Sequence, residues 1–226
     1  LNLLKNGTCV VLADLRDSGE SESSDFRLPE SIAIENAMKL WQMNESLIGY
    51  RVKDLRSVLL QISKRKDLDV SEGLYLWGEG FTAANGKIDD IFRFEETSFR
   101  QASPEGKSLV EGMGVIVCLM AALLTEEVKV KGIIGRGGLV SYESILHSRY
   151  HYIPQDIIIP GLIRHLDLPM IMNALEKSGV NLYLEDLRDG KNRVMSAESL
   201  KSLLPPNALK IYSNAVLLDV NNLINQ

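Results

Sequence analysis

Gly112-Met-Gly-Val-Ile-Val-Cys-Leu-Met-Ala-Ala-Leu-Leu124, then Val128-Lys-Val-Lys-Gly-Ile-Ile134 closing at Arg136-Gly-Gly138, is the stretch that decides the fold. The first run is apolar almost all round, which is the pattern of a helix buried between layers rather than one lying on a surface. The second is short, β-rich and ended by glycines, the pattern of a buried strand. A helix buried on all sides that feeds a buried strand predicts a right-handed βαβ crossover, and with it a parallel sheet.

The same alternation extends in both directions. Upstream, Gly73-Leu-Tyr-Leu-Trp77 reads as a strand ending at Gly78-Glu-Gly80. Before it, Val52, Leu55, Val58, Leu59 and Ile62 recur at helical spacing between polar residues, which predicts a helix over 49–64. Thr8-Cys-Val-Val-Leu-Ala13 reads as a further buried parallel strand that ends in a polar loop. Downstream, the pattern predicts a helix over 169–177 and a strand over 180–184 that ends in Glu185-Asp-Leu-Arg-Asp-Gly190. A short strand over 209–212 and a closing helix over 215–224 follow. Residues 81–109 carry mixed charge and no sustained period, with Asn85-Gly86 and Ser103-Pro104 as punctuation, and read as an insertion. The expected architecture is one α/β domain over 1–226, an open and mostly parallel sheet with helices on both faces.

Composition bounds what such a domain does. With 226 residues, 45% of them hydrophobic and 24% charged, the chain can bury a sizeable core, which excludes disorder and a disulfide scaffold. There are 25 Lys+Arg against 30 Asp+Glu, and the basic cluster Lys64-Arg65-Lys66 sits beside Asp67 and Asp69, so no nucleic-acid partner is expected. The apolar runs fall short of the roughly 18 residues that read as a spanning helix, so no membrane partner is expected. Cys9 and Cys118 each lie inside an apolar run and read as buried thiols. Neither Gly78-Glu-Gly80 nor Arg136-Gly-Gly138 completes a dinucleotide or phosphate loop, and no ligand spacing suggests a metal; no cofactor is expected.

Several segments, taken in order, resemble the α/β-hydrolases, in the branch of acetyl xylan esterases and dienelactone hydrolases. They are Val11-Leu-Ala-Asp-Leu-Arg16 with Gly19-Glu20, Gly49-Tyr-Arg-Val-Lys-Asp-Leu-Arg56 and Leu76-Trp-Gly-Glu-Gly-Phe81. Further on come Arg136-Gly-Gly-Leu-Val-Ser-Tyr142, Ile159-Pro-Gly161 and Asp189-Gly-Lys-Asn-Arg193. The resemblance covers most of the chain. It implies hydrolysis of a small-molecule or carbohydrate ester by a serine at a G-x-S-x-G elbow, with an acid and then a histidine following in chain order. It also implies that the strands preceding 8–13 are missing, so that an upstream segment or a second chain would be a partner.

Mapped onto that pattern, the serine position is Gly80, which has no hydroxyl with which to form an acyl-enzyme. A strained elbow there predicts a positive φ at Gly80. The acid implied by the resemblance is Asp189, with Asp186 as its competitor. His147, His151 and His165 all precede Asp189, so the usual order is not completed; His151 is the candidate base, entering from a loop, and Thr82 the alternative nucleophile. Arg136 and Arg193, near strand ends, would hold a carboxylate or sugar acid, with a salt bridge to Glu185 or Asp189 as the competing fate. The expected function is an esterase-like domain whose hydrolysis is lost or impaired, or else a binding or scaffolding domain that keeps the pocket.

Overall fold

The computed structural model describes residues 2–5, 7–16, 18, 29–80, 83–85, 113–147, 152–204 and 210–212. Strands β1 (Leu74–Glu79), β2 (Val130–Arg136), β3 (Asn181–Glu185) and β4 (Lys210–Tyr212) form one sheet. All pair in parallel, and their order in space is their order in sequence. Helix α1 (Pro29–Gln42) and α2 (Leu47–Ser63) precede β1. Then α3 (Met113–Leu124), α4 (Leu168–Lys177) and α5 (Ala197–Leu203) fall in turn between successive strands. The chain is an α/β protein with a small open parallel sheet.

The core lies between β1–β3 and α3. Residues 115–122 of α3 are buried without interruption, as an all-round apolar helix requires. Register places Leu76, Ile133 and Leu182 in one row across the sheet, and all three are buried. The helix sits unusually close to β1: a Cβ added at Gly78 would stand 2.3 Å from the Gly114 carbonyl oxygen. Glycine is required there by close backbone approach, not by a turn. Asp167 caps α4 by accepting from its own helix's Leu168 amide (2.7 Å) and also accepts from the Tyr142 amide (2.8 Å) and Ser141 Oγ. One carboxylate thus ties the start of α4 to the chain leaving β2.

Three expectations change. Residues 8–13 form no strand: Val10 and Val11 are about half exposed and Leu12 is 91% exposed. A β-prone run becomes a strand only when another strand supplies hydrogen bonds, and no described strand pairs with this one. What holds the segment is Arg16. Its guanidinium donates to both Asp54 oxygens (2.8 and 2.7 Å) and lies 4.3 Å from the centroid of the Tyr50 ring, while Arg51 Nε donates to the Arg16 carbonyl. Cys9 is consequently exposed, whereas Cys118 is buried, and burial pushes its thiol up to about 12. Helix α1 is the third change, since the sequence reading assigned no element to its residues. The closing helix over 215–224 and all of the insertion but 83–85 lie outside the described residues. Among the described residues no helix is long and apolar enough to cross a membrane.

Candidate functional site

Parallel strands bring their carboxyl ends to one edge, which is where open α/β sheets bind ligands. Here the last residues of β1, β2 and β3 are in register with one another as Glu79, Arg136 and Glu185. Arg136 Nη1 donates to Glu79 Oε1 at 2.7 Å and Arg136 Nε to Glu185 Oε2 at 2.9 Å. The Glu185 side chain is only 9% exposed, so removing its partner would leave a carboxylate largely withdrawn from water. The Glu185 hydrogen bond, with both glutamate charges behind it, holds the Arg136 guanidinium above its ordinary pKa against the opposing effect of burial.

Gly80 follows β1 and is buried. Its amide donates to the Arg136 carbonyl at 2.9 Å, continuing the strand's ladder one residue past Glu79. Backbone that stays in the ladder has no need of a left-handed turn, and Gly80 is not among the described residues of positive φ. The left-handed positions lie instead just past the neighbouring strands, at Gly137 (φ 70°), Asp186 (φ 51°) and Asn192 (φ 58°). The expected tip at Gly80 is therefore corrected. Nor are residues 83–85, the first described after Gly80, helical; the described helix that meets this end of β1 is α3, through the Gly78–Gly114 contact.

Asp189 lies at the same edge, in the loop after β3. Its Oδ1 accepts from the amides of Lys191 (2.9 Å) and Arg193 (3.0 Å), and its Oδ2 from Arg193 Nε (2.9 Å) and Nη2 (2.7 Å). The carboxylate closes its own turn and is chelated by the arginine within it. Asp186 differs: Oδ1 is buried without a hydrogen-bond partner among the described residues, on a backbone in the left-handed region.

Two residues that the sequence reading passed over organise the rest. Arg188, 5% exposed, donates from Nη1 to Oδ1 of the fully buried Asn192 at 2.8 Å. Asn192 Nδ2 donates to the Ala83 carbonyl (3.0 Å), while the Asn85 amide donates to the Asn192 carbonyl (2.8 Å) and Asn85 Nδ2 to the Lys191 carbonyl (3.0 Å). The chain just beyond Gly80 is thus fastened to the loop after β3. Gly137 lies beneath: a Cβ there would come within 3.2 Å of the Arg188 guanidinium and 3.3 Å of the Gly80 carbonyl oxygen.

So the structure brings Gly80, Arg136, Asp186, Asp189 and Arg193 to one edge. His147 is well exposed, 3.6 Å from Glu143, and His165 is also exposed. Thr82 and His151 lie outside the described residues. Among the described residues no cluster of His, Cys, Asp or Glu could hold a metal ion. Comparison with protein-family models, curated proteins and solved structures finds no match to this chain.

Proposed function

We propose that the chain is a domain of α/β-hydrolase type, acetyl-xylan-esterase-like in ancestry, that has lost ester hydrolysis. The observation that carries this reading is the state of Asp189. A triad acid must accept the Nδ1 proton of a histidine. Both oxygens of Asp189 already accept, from two backbone amides and from both donors of the Arg193 fork. The residue that the resemblance aligns with the nucleophile is Gly80, with no hydroxyl to activate. Arg136 is likewise engaged by Glu79 and Glu185, so neither arginine presents an uncommitted guanidinium to a substrate carboxylate. The sequential order of the four parallel strands is in keeping with the carboxy-terminal half of such a sheet.

The test is an assay of the chain with p-nitrophenyl acetate and with acetylated xylo-oligosaccharides. No turnover above the buffer rate is expected for either. Turnover that disappears in Asp189→Ala or in Thr82→Ala would overturn the reading and identify the working residue.

A further inference from the structure

Residues 8–13 carry no charge, no proline and no glycine, and three of them, Thr8, Val10 and Val11, are β-branched. The run is held at both ends. The Thr8 amide donates to the Leu3 carbonyl at 3.1 Å; beyond the run, Leu15 packs against the core and Arg16 is fixed on Asp54. Between these anchors the backbone of Cys9–Ala13 makes no hydrogen bond among the described residues, and every residue from Cys9 to Asp14 is exposed. Leu12, at 91%, and Val10 and Val11, at about half, are side chains that leaving water would favour. A β-prone run with unpaired backbone, exposed apolar side chains and no charge or proline to blunt it is suited to pairing with another strand.

The pattern of the run itself indicates its occupant. In a two-fold antiparallel pair one residue faces its own copy, and residues equally far to either side face each other. With Val11 at the centre, Val10 faces the partner's Leu12 and Cys9 faces the partner's Ala13, so every pair within 9–13 sets apolar against apolar. Lys5 precedes the run and Asp14 follows it. Antiparallel copies therefore bring unlike charges toward each other at each end, where parallel copies would align like with like. We infer that Cys9–Ala13 is a self-recognition segment, through which two copies of this chain associate by antiparallel pairing about Val11. About five residues a side is far below the 20–30 a side of a stable interface, so the dimer is weak and the chain is single when dilute. The two anchors offset part of that deficit, because a segment already held at its ends loses less freedom on pairing. The contact closes at two, since each copy's segment is taken up by the other. The rival site is the outer edge of β1, which no described strand covers. A segment added there would leave the next copy's segment open, and assembly would not stop at two. The inference stands apart from the hydrolase reading, since it uses no residue of the carboxyl edge.

Sedimentation equilibrium of the full chain over roughly 1 to 200 µM reads the mass directly, with reductant present so that the exposed Cys9 cannot link copies. A monomer at the dilute end that passes to a dimer and no further is expected. Leu12→Asp sets a carboxylate against the partner's Val10 twice in each dimer, and is expected to weaken association about tenfold or more. Val10→Pro combined with Val11→Pro is expected to abolish it, because one of any two adjacent residues turns its amide to the partner strand and proline has none. Met170→Asp, the same kind of change at a side chain 56% exposed on α4, is expected to leave association as it was. A chain that stays monomeric to the top of the range, or that grows past two, would overturn the inference. So would Met170→Asp acting as strongly as Leu12→Asp, since the association would then be general stickiness. Association that survives the double proline would overturn it too, as apolar contact without a paired backbone. If the double proline chain does not fold, Leu12→Asp set against Met170→Asp decides.

Discussion

Residues 8–13 and residues 128–134 are alike in physical terms: both are short, β-prone and apolar, and both run into a charged or glycine-rich stretch. The second becomes the middle of the sheet, with β1 on one side, β3 on the other and Ile133 fully buried. The first forms no strand and leaves Leu12 almost wholly in solvent, while the chain just beyond it is tied to α2 through Arg16. Composition decides what a segment can bury, and neighbours decide whether it does. The carboxyl edge adds the polar counterpart. There Glu79, Arg136, Glu185, Asp189 and Arg193 are each engaged with another of the set, so this edge spends its charges on itself.

The largest loss is expected at the sheet. Gly78→Ala places a methyl group 2.3 Å from a backbone carbonyl that cannot swing aside. A loss of about 3 kcal/mol or more in urea unfolding is expected, at the upper end of overpacking costs. A variant as stable as the parent would mean that α3 does not rest on β1 as described.

Next in size is Arg136→Met, which leaves Glu185 buried beside Glu79 with no cation between them. Breaking a well-buried pair costs roughly 3–5 kcal/mol; with the arginine side chain 32% exposed, about 2 kcal/mol is expected. Full stability in this variant would show that the edge does not depend on its ion pairs.

The tether at Arg16 is weaker and sensitive to acid. The hydrogen bond from the Arg16 guanidinium, aided by its charge, holds the Asp54 carboxyl below its ordinary value of 3.8 against the opposing effect of burial. A carboxylate with a depressed folded pKa stabilises the fold above its unfolded pKa, and that contribution is lost as pH falls through the folded value. With both side chains partly exposed, it is worth less than about 1 kcal/mol. Protection of the Arg16 amide, which donates to Asp54 Oδ2, should therefore fade below about pH 4 while the Gly80 amide keeps its own. Asp54→Asn should weaken it at neutral pH; protection unchanged by either would remove the tether from the account.

Smallest of all is Leu12→Asp. A side chain 91% exposed has almost nothing to lose, and a change within about 0.5 kcal/mol is expected by the same unfolding measurement. A large loss would mean that residues 8–13 are paired after all.

These contrasts also mark what could be read from the chain alone. The strands β1 to β4 were legible to within a residue or two, β1 to β3 because each is an apolar run closed by glycine or charge. Residues 8–13 carried the same pattern without the neighbours, and no local feature distinguishes the two cases. Helix α1 does carry a signal in the sequence, a proline at its first position, but the stretch around it shows no strong period. At the site, Arg136 and Arg193 were singled out from their places near strand ends and Asp189 from the resemblance, and Glu79 could have been singled out by the first rule. Asn192 could not: its partner carbonyl belongs to Ala83, 109 residues away, and only the folded sheet brings the two together.

On the proposed reading, the charges of this edge hold the edge together and do not cleave an ester. Gly80→Ser tests it most directly, by restoring the hydroxyl that the resemblance asks for and assaying p-nitrophenyl acetate hydrolysis. The variant is expected to stay at the buffer rate, because Asp189 remains chelated by Arg193 and His147 and His165 are both exposed. Turnover that appears with Ser at position 80 and vanishes again on adding Asp189→Ala would contradict it.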